Sequence, residues 1–239
     1  MITKVAIMQP YFFPYLGYFQ LIAASDLFVL YDDTQLISRG WVNRNRILVN
    51  GEPSFITLPL RKSRLRDNIN CRHFVDDIAW HKRKVLKAIH LSYSRAPFFS
   101  EVFPLVQSIL ACTESNLAAF NEFLIRRTCE HLGISAEILV SSRLGIGSEL
   151  SSQDRVIAIA KGLGADVAVN PIGGLDLYSC EEFRRRDIVL KFIRMDPMAY
   201  RQFGTGFVEN LSVIDVLMFC PLSEVREMLF RYSLIDNCQ

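Results

Sequence analysis

A chain of 239 residues that is 50% hydrophobic and 22% charged has ample apolar surface for a core without staples, which excludes the disordered class. A formal net charge of +2 gives no overall basic footprint for nucleic acid or an anionic membrane, and the apolar runs fall short of the roughly 18–20 residues of a transmembrane helix. The six cysteines (Cys71, Cys112, Cys129, Cys180, Cys220 and Cys238) include no CxxC pair and no histidine at finger spacing, so they read as reduced thiols of a cytoplasmic protein without a metal site.

In chain order, Lys4 to Met8 is a short buried strand stopped by Gln9-Pro10, because proline removes the N–H that would continue a ladder. Prolines and aromatics interrupt MITKVAIMQPYFFPYLGY, so this start is read as structure and not as a cleaved leader. Tyr11 to Gly17 is a stiff turn, Tyr18 to Ala24 a short helix, and Leu27 to Tyr31 a second buried strand ending on Asp32-Asp33. This strand, helix and strand unit predicts a parallel pair covered on both faces. Ile47 to Val49, Asn50-Gly51 and Phe55 to Leu60 predict an antiparallel hairpin that makes the sheet mixed.

The pattern WHKRKVLKAIHL from Trp80 puts Val85, Leu86, Ile89 and His90 on one helical stripe opposite lysines. Two further helices follow, Glu101 to Ala111 and Asn116 to Leu132, the second stopped by Gly133. Strand and helix order then returns: Ala136 to Val140, a helix over Ser151 to Leu163, a strand over Asp166 to Asn170, a turn at Pro171 to Gly174, a short helix over Glu181 to Arg186, and a strand over Ile188 to Ile193. Ser212 to Arg231 reads as a helix pair broken at Pro221. No repeat or linker divides the chain, so the expectation is one α/β domain over 1–239 with a helical insertion at about 80–133.

The strongest site candidates lie where strands end. The loop Gln9 to Gly17 leaves a strand and feeds a helix, the place where open α/β sheets put ligands and where free N–H groups attract anions. Asp32 and Asp33 end the second strand, where one carboxylate faces a crevice as a general base; alternation along a strand leaves open which. Trp41, Asn43, Arg44 and Asn45 combine an aromatic plane, amides and a guanidinium fork suited to a nucleotide or sugar phosphate, with Arg44 as the phosphate ligand. His81, at a helix start, is a third proton acceptor. Gly173 and Gly174 follow a strand and offer backbone for an anion nest. GxSxG, Walker, HExxH and GxGxxG patterns are missing, which removes the usual support for serine hydrolases, P-loop kinases, zincins and dinucleotide oxidoreductases.

The spacing F-P-x-x-G-Y before an apolar helix is similar to the HIGH-type loop of nucleotidyltransferases, with Tyr18 where that motif has a phosphate-binding histidine. More extensively, Met8-Gln9-Pro10-Tyr11-Phe12-Phe13-Pro14-Tyr15-Leu16-Gly17-Tyr18-Phe19 resembles the opening of the WbqC-like proteins. The resemblance continues through Asp32-Asp33-Thr34-Gln35, Trp41-Val42-Asn43-Arg44-Asn45, Trp80-His81-Lys82, Gly173-Gly174 with Tyr178, Gln202-Phe203 and Leu211-Ser212-Val213-Ile214-Asp215. It implies a link to bacterial surface-polysaccharide (O-antigen) or specialised-metabolite biosynthesis. The fold expected is α/β and Rossmann-like, with a mostly parallel sheet and an inserted helical layer.

The function expected from that context is a transferase adding an acyl or aminoacyl group to an amine of a nucleotide-linked sugar, a small, phosphate-bearing substrate. Asp32, Asp33 or His81 takes the amine proton; Gln9 and Asn43 hold polar groups; Arg44 and the glycine turns bind phosphate. Pro10, Tyr11, Gly17, Tyr18, Gln35, Trp41, Asn45 and Tyr178 complete the substrate-binding set. The cofactor is left open between an acyl donor and a nucleotide, and two other functions stand beside the first: nucleotidyl transfer or ATP-dependent ligation, and a non-enzymatic binding subunit of a biosynthetic complex.

Overall fold

The computed structural model describes residues 2–64, 66–204 and 206–236. The run KVAIM forms β1 (Lys4–Met8), buried through its middle. An almost wholly buried helix, α1 (Leu16–Ala23), leads to β2 (Leu27–Leu30), which lies parallel to β1 in a register running from Val5↔Leu27 to Met8↔Leu30. The chain then makes a hairpin of β3 (Arg44–Val49) and β4 (Glu52–Thr57). Its turn residues, Asn50 and Gly51, have φ of 54° and 84°, the left-handed pair that a two-residue hairpin turn requires. This hairpin is a separate two-stranded sheet, so it does not add the antiparallel element expected of the main sheet.

Three helices follow: α2 (Ile78–Tyr93), α3 (Phe99–Leu110) and α4 (Leu117–Leu132). Helix α2 buries Lys82, Val85, Ile89 and Tyr93, whereas His90, expected on this stripe, is exposed. Lys82 tolerates burial because its Nζ donates to the Cys112 carbonyl at 2.6 Å and lies 4.2 Å from the centre of the Phe120 ring. The Asn116 side chain caps α4 by accepting from Ala119 N at 3.1 Å, and Gly133 ends it at φ 75°.

The second half gives β5 (Glu137–Val140), α5 (Ser141–Leu144), α6 (Ser152–Gly162), β6 (Val167–Pro171), α7 (Cys180–Arg184) and β7 (Val189–Met195). The tail holds α8 (Val213–Phe219) and α9 (Leu222–Met228), the helix pair expected around Pro221. A final strand, β8 (Tyr232–Ile235), pairs antiparallel with β7. Four residues, all of intermediate burial, give no period to read, which is why the sequence does not announce β8.

The main sheet runs β5-β2-β1-β6-β7-β8, parallel except for its last pair, so the fold is α/β and Rossmann-like. From β1 the chain first builds outward through β2 and β5, then returns to lay β6 against the other side of β1. Ala6, Val167, Val169 and Ile193 pack on the side of α1, the hairpin and α2 to α4. Val5, Ile7, Val29, Ala168 and Phe192 pack on the opposite side with Val156, Ile159 and Phe183. Cys71, Cys112, Cys129 and Cys220 are free thiols, but Cys180 is disulfide-bonded, which corrects the reading of six reduced cysteines. Among the described residues no helix is long and apolar enough to cross a membrane.

Candidate functional site

Because β1 and β6 are parallel neighbours, the loops after Met8 and Asn170 leave the same edge of the sheet, at the point where strand order reverses. The first loop is mostly closed. Pro10, Phe12, Phe13 and Pro14 are buried, and two prolines leave a row of carbonyls that need donors from elsewhere. Tyr18 Oη donates to Gln9 O at 2.9 Å, and Asn121 Nδ2 to Pro10 O at 2.8 Å. Asn45 Nδ2 donates to Phe12 O at 3.0 Å and Phe13 O at 2.8 Å, and Val213 N to Pro14 O at 2.8 Å.

Tyr18 and Asn45, read as substrate ligands, are thus placed as internal struts of the turn. Gly17 is buried inside α1, and a Cβ there would come within 2.3 Å of Met195 Sδ and 2.5 Å of the Tyr15 ring. Its role is close packing, not an open anion cradle. Tyr11 is half-buried against Tyr18, with ring centroids 5.5 Å apart, and burial pushes its phenol up to about 12.

The Trp41 to Asn45 segment lies over this turn and is similarly occupied. Asn43 Nδ2 donates to Leu58 O at 2.9 Å. Arg44 Nε donates to Gly40 O at 3.2 Å, a terminal nitrogen donates to Arg39 O, and its guanidinium lies 4.4 Å from the centre of the Phe55 ring. Trp41 stacks on the same Phe55 ring at 6.1 Å. Two nitrogens of the fork expected to hold phosphate are therefore engaged by the carbonyls of Arg39 and Gly40. His81 Nε2 lies 3.6 Å from Asp77, one turn back, with its ring edge-on to Trp80. Among the described residues nothing joins His81 to Asp32 or Asp33.

The two aspartates do share a polar cluster. Asp32, 5% exposed, accepts from Ser141 Oγ (3.0 Å), Ser142 N (3.0 Å) and Ser142 Oγ (2.7 Å), and so ties the end of β2 to the start of α5. Asp33 contacts Ser141 Oγ at 2.5 Å and forms an ion pair with Arg155 of α6. One hydroxyl proton on Ser141 serves two carboxylates, so only one of them receives it at a time. The Asp33 side chain is 15% exposed and that of Arg155 5%, a largely desolvated pair in which the guanidinium offsets the acid.

Arg155 also lies 5.9 Å from the centre of the Tyr31 ring, and burial raises the phenols of Tyr31 and Tyr178. Through these rings the loop after β6 reaches the cluster. Gly174 is buried under Tyr178, while a Cβ on Gly173 would meet open space. Neither glycine has a positive φ, so neither is there to permit a left-handed turn.

Asp32 lines a small pocket with Pro10, Glu122 and Arg143, and a separate cleft of ≈ 600 Å³ is lined by Gln9, Thr34, Gln35, Leu36, Ile37, Ser38 and Arg72. It takes in the Gln9 and Gln35 of the sequence reading and begins one residue after Asp33. Sequence reading did not find Arg155, Ser141, Ser142 or Arg72. Arg155 had a legible signal, a cation one turn before Ile159 on a buried helical stripe; Ser141 and Ser142 follow a strand directly. Arg72 stands in no pattern. No three His, Cys, Asp or Glu side chains among the described residues gather as a metal site.

A doubly wound α/β protein with a polar cluster at the carboxyl ends of its first strands is the class these features define. Residues 9–227 match the WbqC-like protein family, and the chain belongs to that family. It is similar to an uncharacterized protein of Mycobacterium tuberculosis, 30% identical over 217 residues that span 90% of this chain and 92% of that one. No solved structure matches the chain.

Proposed function

We propose that this protein is a transferase of bacterial surface-polysaccharide or specialised-metabolite biosynthesis, carrying an acyl or aminoacyl group to an amine of a nucleotide-linked sugar, with Asp33 as the proton acceptor. The observation that supports this most is the Ser141–Asp33–Arg155 cluster at the carboxyl end of β2, one residue before Thr34, which lines an open cleft. Asp32 is the more deeply buried carboxylate and accepts three hydrogen bonds from Ser141 and Ser142, and His81 stands apart, so Asp33, which stays partly exposed beside Arg155, is the carboxylate best suited to the work. In the reaction the amine nitrogen attacks the acyl carbonyl carbon, and the bond from that carbon to the donor's sulfur or oxygen breaks. The amine proton passes to Asp33, and the leaving group is protonated.

The test is a panel of amino-sugar nucleotides with acyl thioesters, read by mass spectrometry. Asp33→Asn is expected to lower kcat by about 10²–10⁴-fold, the usual contribution of a positioned base. Asp32→Asn and His81→Gln leave more activity than Asp33→Asn. Full activity in all three variants on the identified substrate defeats the proposal. Thermal stabilisation by ATP but by no nucleotide-sugar or coenzyme A favours ligation instead, and rescue of the pathway by every site variant favours a binding subunit.

A further inference from the structure

Arg72 is 8% exposed, yet it forms no ion pair and its side chain donates no hydrogen bond among the described residues; its Nε is fully buried without a partner. A buried donor left without a partner costs about 1–3 kcal/mol in general, so an arginine that carries one is suited to an anion that arrives from outside. Three acids of the flanking segments are engaged by other groups: Asp33 by Arg155, Asp32 by the two serines, and Asp67 by the backbone N–H of Arg64. Arg72 lines the cleft that also takes in Gln9, just after β1.

Its backbone is firmly placed. Arg72 N donates to Ile69 O at 3.0 Å, Ile69 N to Thr34 O at 2.9 Å, and Leu117 N to Arg72 O at 2.9 Å. The arginine is thereby fixed beside the segment that supplies Thr34 to Ser38 to the same cleft. Thr34 and Ser38 bring hydroxyls and Gln9 a side-chain amide, all able to donate, and among the described residues no acid lines the cleft. Leu36 and Ile37 add an apolar flank, with Ile37 63% exposed at its edge.

From this geometry we infer that Arg72, with Gln9, Thr34 and Ser38, forms a binding site for the phosphoryl group of a small phosphate ester, whose attached ring lies along Leu36 and Ile37. A tetrahedral oxyanion matches a fork plus several neutral donors, and a guanidinium binds it by paired, charge-assisted bonds. The site deepens the transferase reading, and it rests on that reading only for which ester is bound. It replaces Arg44 as the phosphate ligand expected from sequence.

The experiment is calorimetric titration of the full chain with inorganic phosphate, uridine diphosphate, a sugar 1-phosphate and acetate, in a chloride buffer of fixed ionic strength. Wild-type protein binds the phosphate esters and not acetate, and Arg72→Met weakens that binding roughly ten- to a hundredfold. Thr34→Glu leaves Arg72 in place but puts a carboxylate on the same wall; it abolishes the binding too, and it carries the test should Arg72→Met not fold. Comparing the diphosphate with the sugar phosphate shows which ester the cleft prefers. No binding by any phosphate, preference for acetate, or binding unchanged in the variants overturns the inference. Asp33→Asn that binds the esters normally but transfers nothing supports both proposals. Binding lost with Arg72 in a protein that shows no transfer at all leaves this site standing and removes the transferase.

Discussion

Asn45 shows how a side chain that looks like a ligand becomes a strut. It is 3% exposed, and its amide holds two carbonyls of the Phe12-Phe13 turn while its oxygen accepts from Arg46 N at 2.8 Å. Phe13 has φ 39°, a conformation costly for a bulky residue that only surrounding bonds sustain. Asn45→Ala is therefore expected to lower stability by about 1–3 kcal/mol for each carbonyl left unpaired, read by denaturant unfolding. An unchanged midpoint would mean that the turn holds itself. The residue types at Trp41 to Asn45 were legible as polar and aromatic, but sequence does not reveal that a chain with two prolines in its first loop needs those amides for itself.

At the scale of elements, α1 sits close to β7 because Gly17 presents no side chain there. Alanine in a helix gains about 1 kcal/mol over glycine from propensity, but overpacking a filled site costs typically about 1–3 kcal/mol. With Met195 Sδ and the Tyr15 ring both inside contact distance of a new Cβ, the second term wins. Gly17→Ala lowers the thermal midpoint, and adding Met195→Ala restores part of the loss; a stabilised Gly17→Ala would show the helix free to shift. Buried strands with clear apolar runs (KVAIM, LFVL, VAVNP) were readable, as were caps such as Gly133 and the Asn50-Gly51 turn. Sheet membership was not, since the partners of the hairpin and of β8 depend on contacts far along the chain. The site was half legible for the same reason: strand ends pointed to Asp32, Asp33 and Gln9, whereas Arg155 and Arg72 arrive from elements distant in sequence.

For the whole molecule, Asp215 is the joint. It is fully buried and accepts from Tyr93 Oη, Tyr200 Oη and Gln202 Nε2, each at 2.8 Å, and Tyr93 Oη in turn accepts from Leu48 N at 3.0 Å. One carboxylate thus connects α8, α2, the hairpin and the segment before α8. Burial raises its pKa more than the three hydrogen bonds lower it. A carboxyl raised in the folded state contributes stability that is complete below its unfolded pKa and is lost as pH rises through the folded value. The stability of wild type relative to Asp215→Asn should accordingly be greater in acid than at neutral pH, measured by urea unfolding across that range. A difference that grows with pH would reverse the assignment.

The placement of β1 between β2 and β6 has a further bearing on how the chain reaches its native form. During synthesis β1 must wait for a partner about 160 residues later before its second edge is covered. Neither half can then complete a sheet by itself. Two fragments divided between β5 and β6 should be poorly structured apart and regain the native circular dichroism when mixed, as two parts of one lock that close only on each other.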